Sequence, residues 1–119
     1  MEELKPLDNN DANIVGIATP IFNNIIDAHQ TGDYEKLDAH LSEAMRQGLT
    51  RQKFDSVIKD HLNQLGGVKE TVYLGWLRKK ESTQALWKAK YEKDNLELLW
   101  QLFLATSGNE VKVVRLWFS

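Results

Sequence analysis

Residues 83–93, TQALWKAKYEK, alternate in character: Trp87, Ala89 and Tyr91 fall on one side of an extended chain, and Lys88, Lys90 and Glu92 on the other. Successive side chains of a β-strand point to opposite faces, so this stretch reads as a strand with one face buried and one in water. Turn-forming residues bracket it, Lys80-Glu81-Ser82 before and Asp94-Asn95 after. Upstream, Val68 to Lys79 is rich in β-branched and aromatic residues and reads as the preceding strand. Downstream, Leu96 to Ala105 carries Leu98, Trp100, Leu102 and Leu104 on one side with Leu99 and Phe103 on the other, which predicts a strand covered on both faces. Ser107-Gly108-Asn109 then turns the chain into a last strand, Val111 to Phe118, apolar on both faces except at Lys112 and Arg115. Four strands joined by short turns make an antiparallel sheet, and such a sheet needs a cover.

The N-terminal half supplies that cover, because its apolar period changes from two to three-and-four. Ile14, Ile17, Ala18, Ile21, Ile25 and Ala28 form one helical stripe reaching His29. Pro20 interrupts it, and since the stripe keeps its phase across the proline, a kinked single helix is favoured over two helices with Thr19 as a new N-cap. Thr31-Gly32-Asp33 ends this element and caps a second helix bearing Tyr34, Leu37, Leu41 and Met45, irregular near Ser42. Thr50 caps a third, whose stripe is Phe54, Val57, Ile58, His61, Leu62 and Leu65, and Gly66-Gly67 stops it. The expected fold is α+β, with three N-terminal helices packed on a curved four-stranded antiparallel sheet. Residues 1–11, with Pro6 and the cluster Asp8, Asn9 and Asn10, read as a flexible lead-in, and residues 12–119 as a single domain.

Bulk composition narrows the function classes. A chain of 119 residues that is 42% apolar and 27% charged has the profile of one globular domain. Its formal net charge of -2 provides no overall field for phosphate backbones or anionic lipid, so neither nucleic acid nor membrane is an expected partner. The basic residues Arg78, Lys79, Lys80, Lys88, Lys90 and Lys93 are interspersed with Glu81, Glu92 and Asp94 and read as a solvated, aggregation-resistant edge. No cysteine is present, which excludes disulfides, thiolate metal sites and a cysteine nucleophile. The start, Met-Glu-Glu-Leu-Lys-Pro, lacks the basic and apolar runs of a signal peptide, and the expected location is cytoplasmic unless a leader has been removed.

The corner Thr31-Gly32-Asp33-Tyr34 after the helical entry from Ile21, Leu65-Gly66 leading into Tyr73-Leu74-Gly75, the strand Leu86-Trp87-Lys88-Ala89-Lys90-Tyr91 and the terminal Leu116-Trp117-Phe118 together carry a resemblance. In that order they resemble the nuclear transport factor 2-like superfamily, which includes ketosteroid isomerase and the SnoaL-like cyclases, and in particular small bacterial families of unknown function within it. The likeness spans the chain from about Ala12 and is one of pattern. It implies a cone-shaped fold with a pocket at the wide end, common dimerisation, and small apolar or amphipathic ligands. The isomerase's acid and base find no counterpart, because the strand region offers only Asp94, in a turn.

Residue by residue, no catalytic signature emerges. His29, His40 and His61 have no His-x-His or His-x-x-x-His spacing, so neither metal nor cofactor is expected. No glycine-rich phosphate loop and no Gly-x-Ser-x-Gly occurs. His61 lies on the apolar stripe of its helix, either as a core-edge histidine or as a pocket acid or base. Trp87 and Tyr91 share the inward strand face and are candidates for a pocket wall. Arg115 is read on the same face as Val113 and Trp117, where it would need a carboxylate partner or would anchor an anionic ligand group. With Tyr34 as a possible proton carrier, the candidate ligand pocket is Tyr34, His61, Trp87, Tyr91 and Arg115. The function expected is binding of a small ligand or a partner protein in an apolar pocket between helices and sheet. The alternatives are a small isomerase- or cyclase-type enzyme using His61 or Tyr34 with Arg115, and an accessory module whose core is filled. Apolar residues on the second sheet face predict a homodimer packed sheet to sheet.

Overall fold

The structure, a computed structural model, describes residues 3–119. Its first helix, α1 (Asp11–Thr31), runs unbroken through Pro20, and the proline and Gly16 one turn earlier are both exposed, so the missing backbone hydrogen bond falls on the solvent side. The Asn10 side chain caps it by accepting from the Asn13 N–H at 3.0 Å. Its buried face is Ile14, Ala18, Ile21, Phe22, Ile25, Ala28 and His29. Gly32 ends it in the left-handed region, φ 75°, with its N–H bonded to Ala28 O at 2.8 Å. A Cβ at Gly32 would meet nothing within 4 Å, so a Gly32→Ala variant carries conformational strain without a clash. That strain is expected to lower stability by about 1 kcal/mol in urea denaturation.

The second helix arrives in two pieces, α2 (Tyr34–Asp38) and α3 (Glu43–Gly48). Between them the chain extends and pairs with the last strand: Val113 donates to His40 O at 2.8 Å, and Ser42 donates to Val113 O at 2.9 Å. Ser42 then caps α3 through its hydroxyl. Helix α4 (Arg51–Val57), capped by Thr50, widens into a π-turn at Ile58–Leu62 and tightens into a 3-10 turn at Asn63–Leu65 before Gly66.

Strands β1 (Val68–Arg78), β2 (Thr83–Tyr91), β3 (Glu97–Ser107) and β4 (Glu110–Phe118) form one antiparallel sheet in the order β1-β2-β3-β4. The fold is therefore α+β, with helices packed on a four-stranded antiparallel meander, as the alternation at residues 83–93 predicted. Asp94 and Asn95 turn β2 into β3 with positive φ at both positions, a conformation these two residue types tolerate best after glycine. The register places Trp87 opposite Trp100, Ala85 opposite Leu102, and Thr83 opposite Leu104 on the face that meets the helices.

Against that face lies a cluster of buried aromatic and aliphatic side chains. Phe22 of α1 stacks flat on Trp87, ring centroids 4.3 Å apart and 7° from parallel. Trp100, with none of its surface exposed, meets Phe22, His29 and Phe118. Within residues 3–10 the lead-in makes two attachments to the sheet. Lys5 and Thr106 exchange backbone hydrogen bonds at 3.1 and 2.7 Å, and buried Leu7 donates to the Thr83 hydroxyl at 2.9 Å. Burial of Leu7 over the sheet supplies a driving force for this attachment.

Candidate functional site

The five residues expected to share a pocket are distributed over three environments. Trp87 and Tyr91 are in the core: Trp87 lies between Phe22 and Tyr73, and the Tyr91 hydroxyl accepts a hydrogen bond from the Trp100 indole at 3.1 Å. Both are almost fully buried against protein. Tyr34 is half-buried beside Phe54 and donates its hydroxyl to Leu49 O at 2.6 Å, a bond that staples α2 to the end of α3. Burial raises the Tyr34 pKa, and the Asp38 carboxylate adds to the effect.

His61 is exposed, near the edge of the Phe118 ring. The expected position on the buried stripe assumed an unbroken α-helix. The π-turn adds a residue to that turn and brings Leu62 to the core, leaving His61 outside.

Arg115 lies on the outer sheet face, not with Val113. A β-bulge leaves Val114 without a partner, so Val113 pairs with Leu104 on the inner face while Arg115 pairs with Phe103 on the outer one. The guanidinium rests 5.5 Å from the ring centroids of both Phe103 and Trp117, and no carboxylate among the described residues pairs with it. His61, Tyr34 and Arg115 are thus not assembled into one constellation.

Two features escaped the sequence reading. His29, one turn after Ile25, is buried, and its Nδ1–H donates to Ile25 O at 2.7 Å while its ring packs edge-on against Phe54 and Trp100. In the neutral ring that bond places the proton on Nδ1 and leaves Nε2 unprotonated. His29 also lines a cleft of about 210 Å³ with Gln30, Leu62, Asn63, Gly66 and Gly67. The floor of the cleft is held by Glu92, which accepts from the Gly67 N–H, and by Gln30, which accepts from the Val68 N–H at 2.9 Å. A Cβ on Gly67 would stand 2.5 Å from a Glu92 carboxylate oxygen, so a larger residue there would push aside the end of the Glu92 side chain. The signal for His29 was its position at the end of the first apolar stripe. The second feature, Tyr73, packs on Trp87 and has a buried hydroxyl without a hydrogen-bond partner among the described residues.

Burial lowers the His29 pKa below its ordinary 6.5, with the Ile25 carbonyl opposing, and His40 shifts the same way through burial and the nearby Lys112. The unfolded chain then binds more protons than the folded one at pH below 6.5, so stability is full above that value and falls as the pH drops through it. Urea midpoints are expected to decline between about pH 6.5 and 5, above the usual carboxylate range, with a shallower decline in His29→Phe. A wild-type midpoint flat across that window would contradict the burial of a neutral imidazole.

A second concavity, about 350 Å³, lies between α3 and the open side of β4, lined by Ala44, Met45, Gly48, Leu49, Leu116 and Trp117 with Arg115 at its rim. On the sheet's outer face Val72, Leu77, Leu86, Leu99 and Phe103 share one side, with Leu77 49% and Val72 39% exposed and the other three partly buried. Salt bridges Lys88–Glu97 (3.1 Å) and Lys90–Glu70 (3.6 Å) lie toward the opposite end of that face. No helix among the described residues is long and apolar enough to cross a membrane.

These features define the chain at the level of class, an α+β domain with helices on one face of an antiparallel meander. Compared with known protein families, curated proteins and solved structures, the chain matches none.

Proposed function

We propose that this chain is a non-catalytic binding module of the nuclear transport factor 2-like kind, that it works through the outer face of its sheet, and that the first partner of that face is a second copy of the chain. The observation that carries the reading is a contrast between the two sheet faces. The space between helices and sheet, where members of that superfamily hold ligands, is occupied here by Phe22, Trp87, Trp100 and Tyr91. The opposite face leaves Val72 and Leu77 exposed beside the partly buried Leu86, Leu99 and Phe103.

Size supports a second copy as the occupant. Four strands about 4.8 Å apart and about 30 Å long present roughly 600 Å² per copy, so a face-to-face pair would bury on the order of 1,200 Å², the lower end for stable association. The ion pairs on the same face supply both signs of charge, which a self-complementary two-fold interface needs. Light scattering behind size exclusion tests this. A mass twice that of the chain is expected, and a single-chain mass at high micromolar concentration overturns the dimer.

A further inference from the structure

The groove between α3 and β4 combines three features that point to one class of ligand. Its wall is apolar: Met45 and Leu49 on the helix side, Leu116 and Trp117 on the strand side. Its rim carries the Arg115 guanidinium, which has aromatic neighbours but no carboxylate partner among the described residues. Its floor is an open strand edge. Leu99 and Ser119 exchange backbone hydrogen bonds at 2.9 and 3.0 Å. Pairing alternates along an antiparallel ladder, so Trp117 and Arg115 also bond to β3, and the N–H and C=O of Leu116 between them point away from it, toward the groove side. The neighbouring part of this edge is closed, since Val113 is bonded to His40 and Ser42.

A guanidinium stacked on an indole, a free backbone N–H and an apolar trough favour a small molecule with one carboxylate and a compact apolar tail. The carboxylate would accept from Arg115 and the Leu116 N–H, and the tail would displace water from Met45, Leu49 and Trp117. A volume near 350 Å³ suits a tail of medium length and falls at the low end for small-molecule sites. Trp117, 53% exposed in the free chain, would lose much of that exposure.

We propose that this groove is a binding site for small amphipathic carboxylates, outside the filled interior and at the rim of the dimer face. Arg115 and Trp117 stand on the outer face that the proposed dimer uses, at its β4 edge, and the two proposals have separate readouts: molecular mass reports the dimer, and the Trp117 indole reports the ligand.

Octanoate and octan-1-ol, which share a tail and differ in charge, are the probes. In ¹⁵N–¹H correlation spectra of the full chain the four tryptophan indoles are resolved by type, and Trp117→Phe assigns its own signal. Octanoate is expected to shift the Trp117 indole while the buried Trp100 indole stays in place, with octanol needing about tenfold higher concentration for the same shift. Arg115→Gln, at an exposed position, is expected to equalise the two probes. Ala44→Glu, also exposed, places a competing carboxylate at the groove and is expected to weaken octanoate alone. Three results would overturn the proposal: no Trp117 shift at tens of millimolar octanoate, equal response to both probes in the wild type, or a carboxylate preference that survives Arg115→Gln.

Discussion

Trp100→Ala is expected to remove about 4–5 kcal/mol of stability, a large share of the whole for a domain of this size. Trp100 has no exposed surface, and its removal would strip the ring that Phe22, His29 and Phe118 pack against. It would also take away the indole N–H that satisfies the Tyr91 hydroxyl, leaving that group buried without its donor at a cost of about 1–3 kcal/mol within the total. Trp100→Phe separates the two contributions, since it keeps most of the packing and loses the hydrogen bond; a loss of about 2 kcal/mol is expected for it. Urea denaturation followed by circular dichroism measures both. If the alanine variant retained full stability within about 1 kcal/mol, the interior would have to contain space that Trp100 does not fill, and the filled-core basis of the proposed function would fail. Free indole gives a second readout: the void left by the alanine should bind it and recover part of the lost midpoint.

The second large effect is on association. Replacing both Leu77 and Leu86 by Glu is expected to weaken the proposed dimer at least ~100-fold, because each copy would bring unpaired carboxylates into a desolvated face. Leu77 is 49% exposed and Leu86 half-buried on the outer side of the sheet, so the fold itself should tolerate the change. The measurement is sedimentation equilibrium beside a thermal melt. A monomeric double variant that melts cooperatively supports the interface, whereas a dimer that survives places the contact elsewhere on the molecule.

Much of the architecture could be read in the chain because period and punctuation agreed. The alternation around Trp87 gave the sheet, its turns fell where Asp94-Asn95 and Ser107-Gly108-Asn109 predicted, and α1 kept its phase across Pro20. The site was far less legible, and the reason is the same at His61 and Arg115. Each was placed by counting residues along a regular element, and each lies at or just beyond a one-residue irregularity, a π-turn in one case and a β-bulge in the other. Neither irregularity leaves a compositional mark, since both are decided by what the neighbouring elements need to bury. Trp87 and Tyr91 were oriented correctly, but a pattern of inward aromatics cannot say whether the facing helix fills the space. Phe22 does so, and only its three-dimensional position reveals it.

The bulge in β4 also bears on how the chain tolerates changes in length. Val114 is the one residue between Glu110 and Phe118 that the ladder skips, and the registers on either side of it meet as though it were not there: Val113 opposite Leu104, Arg115 opposite Phe103. Deleting Val114 would therefore leave a regular ladder with every remaining side chain on its present face. Removal of any single residue further along the strand would instead exchange core for solvent from that point to the end, turning Phe118 outward. Position 114 is thus a place where this strand can lose a residue and keep its two-sided code.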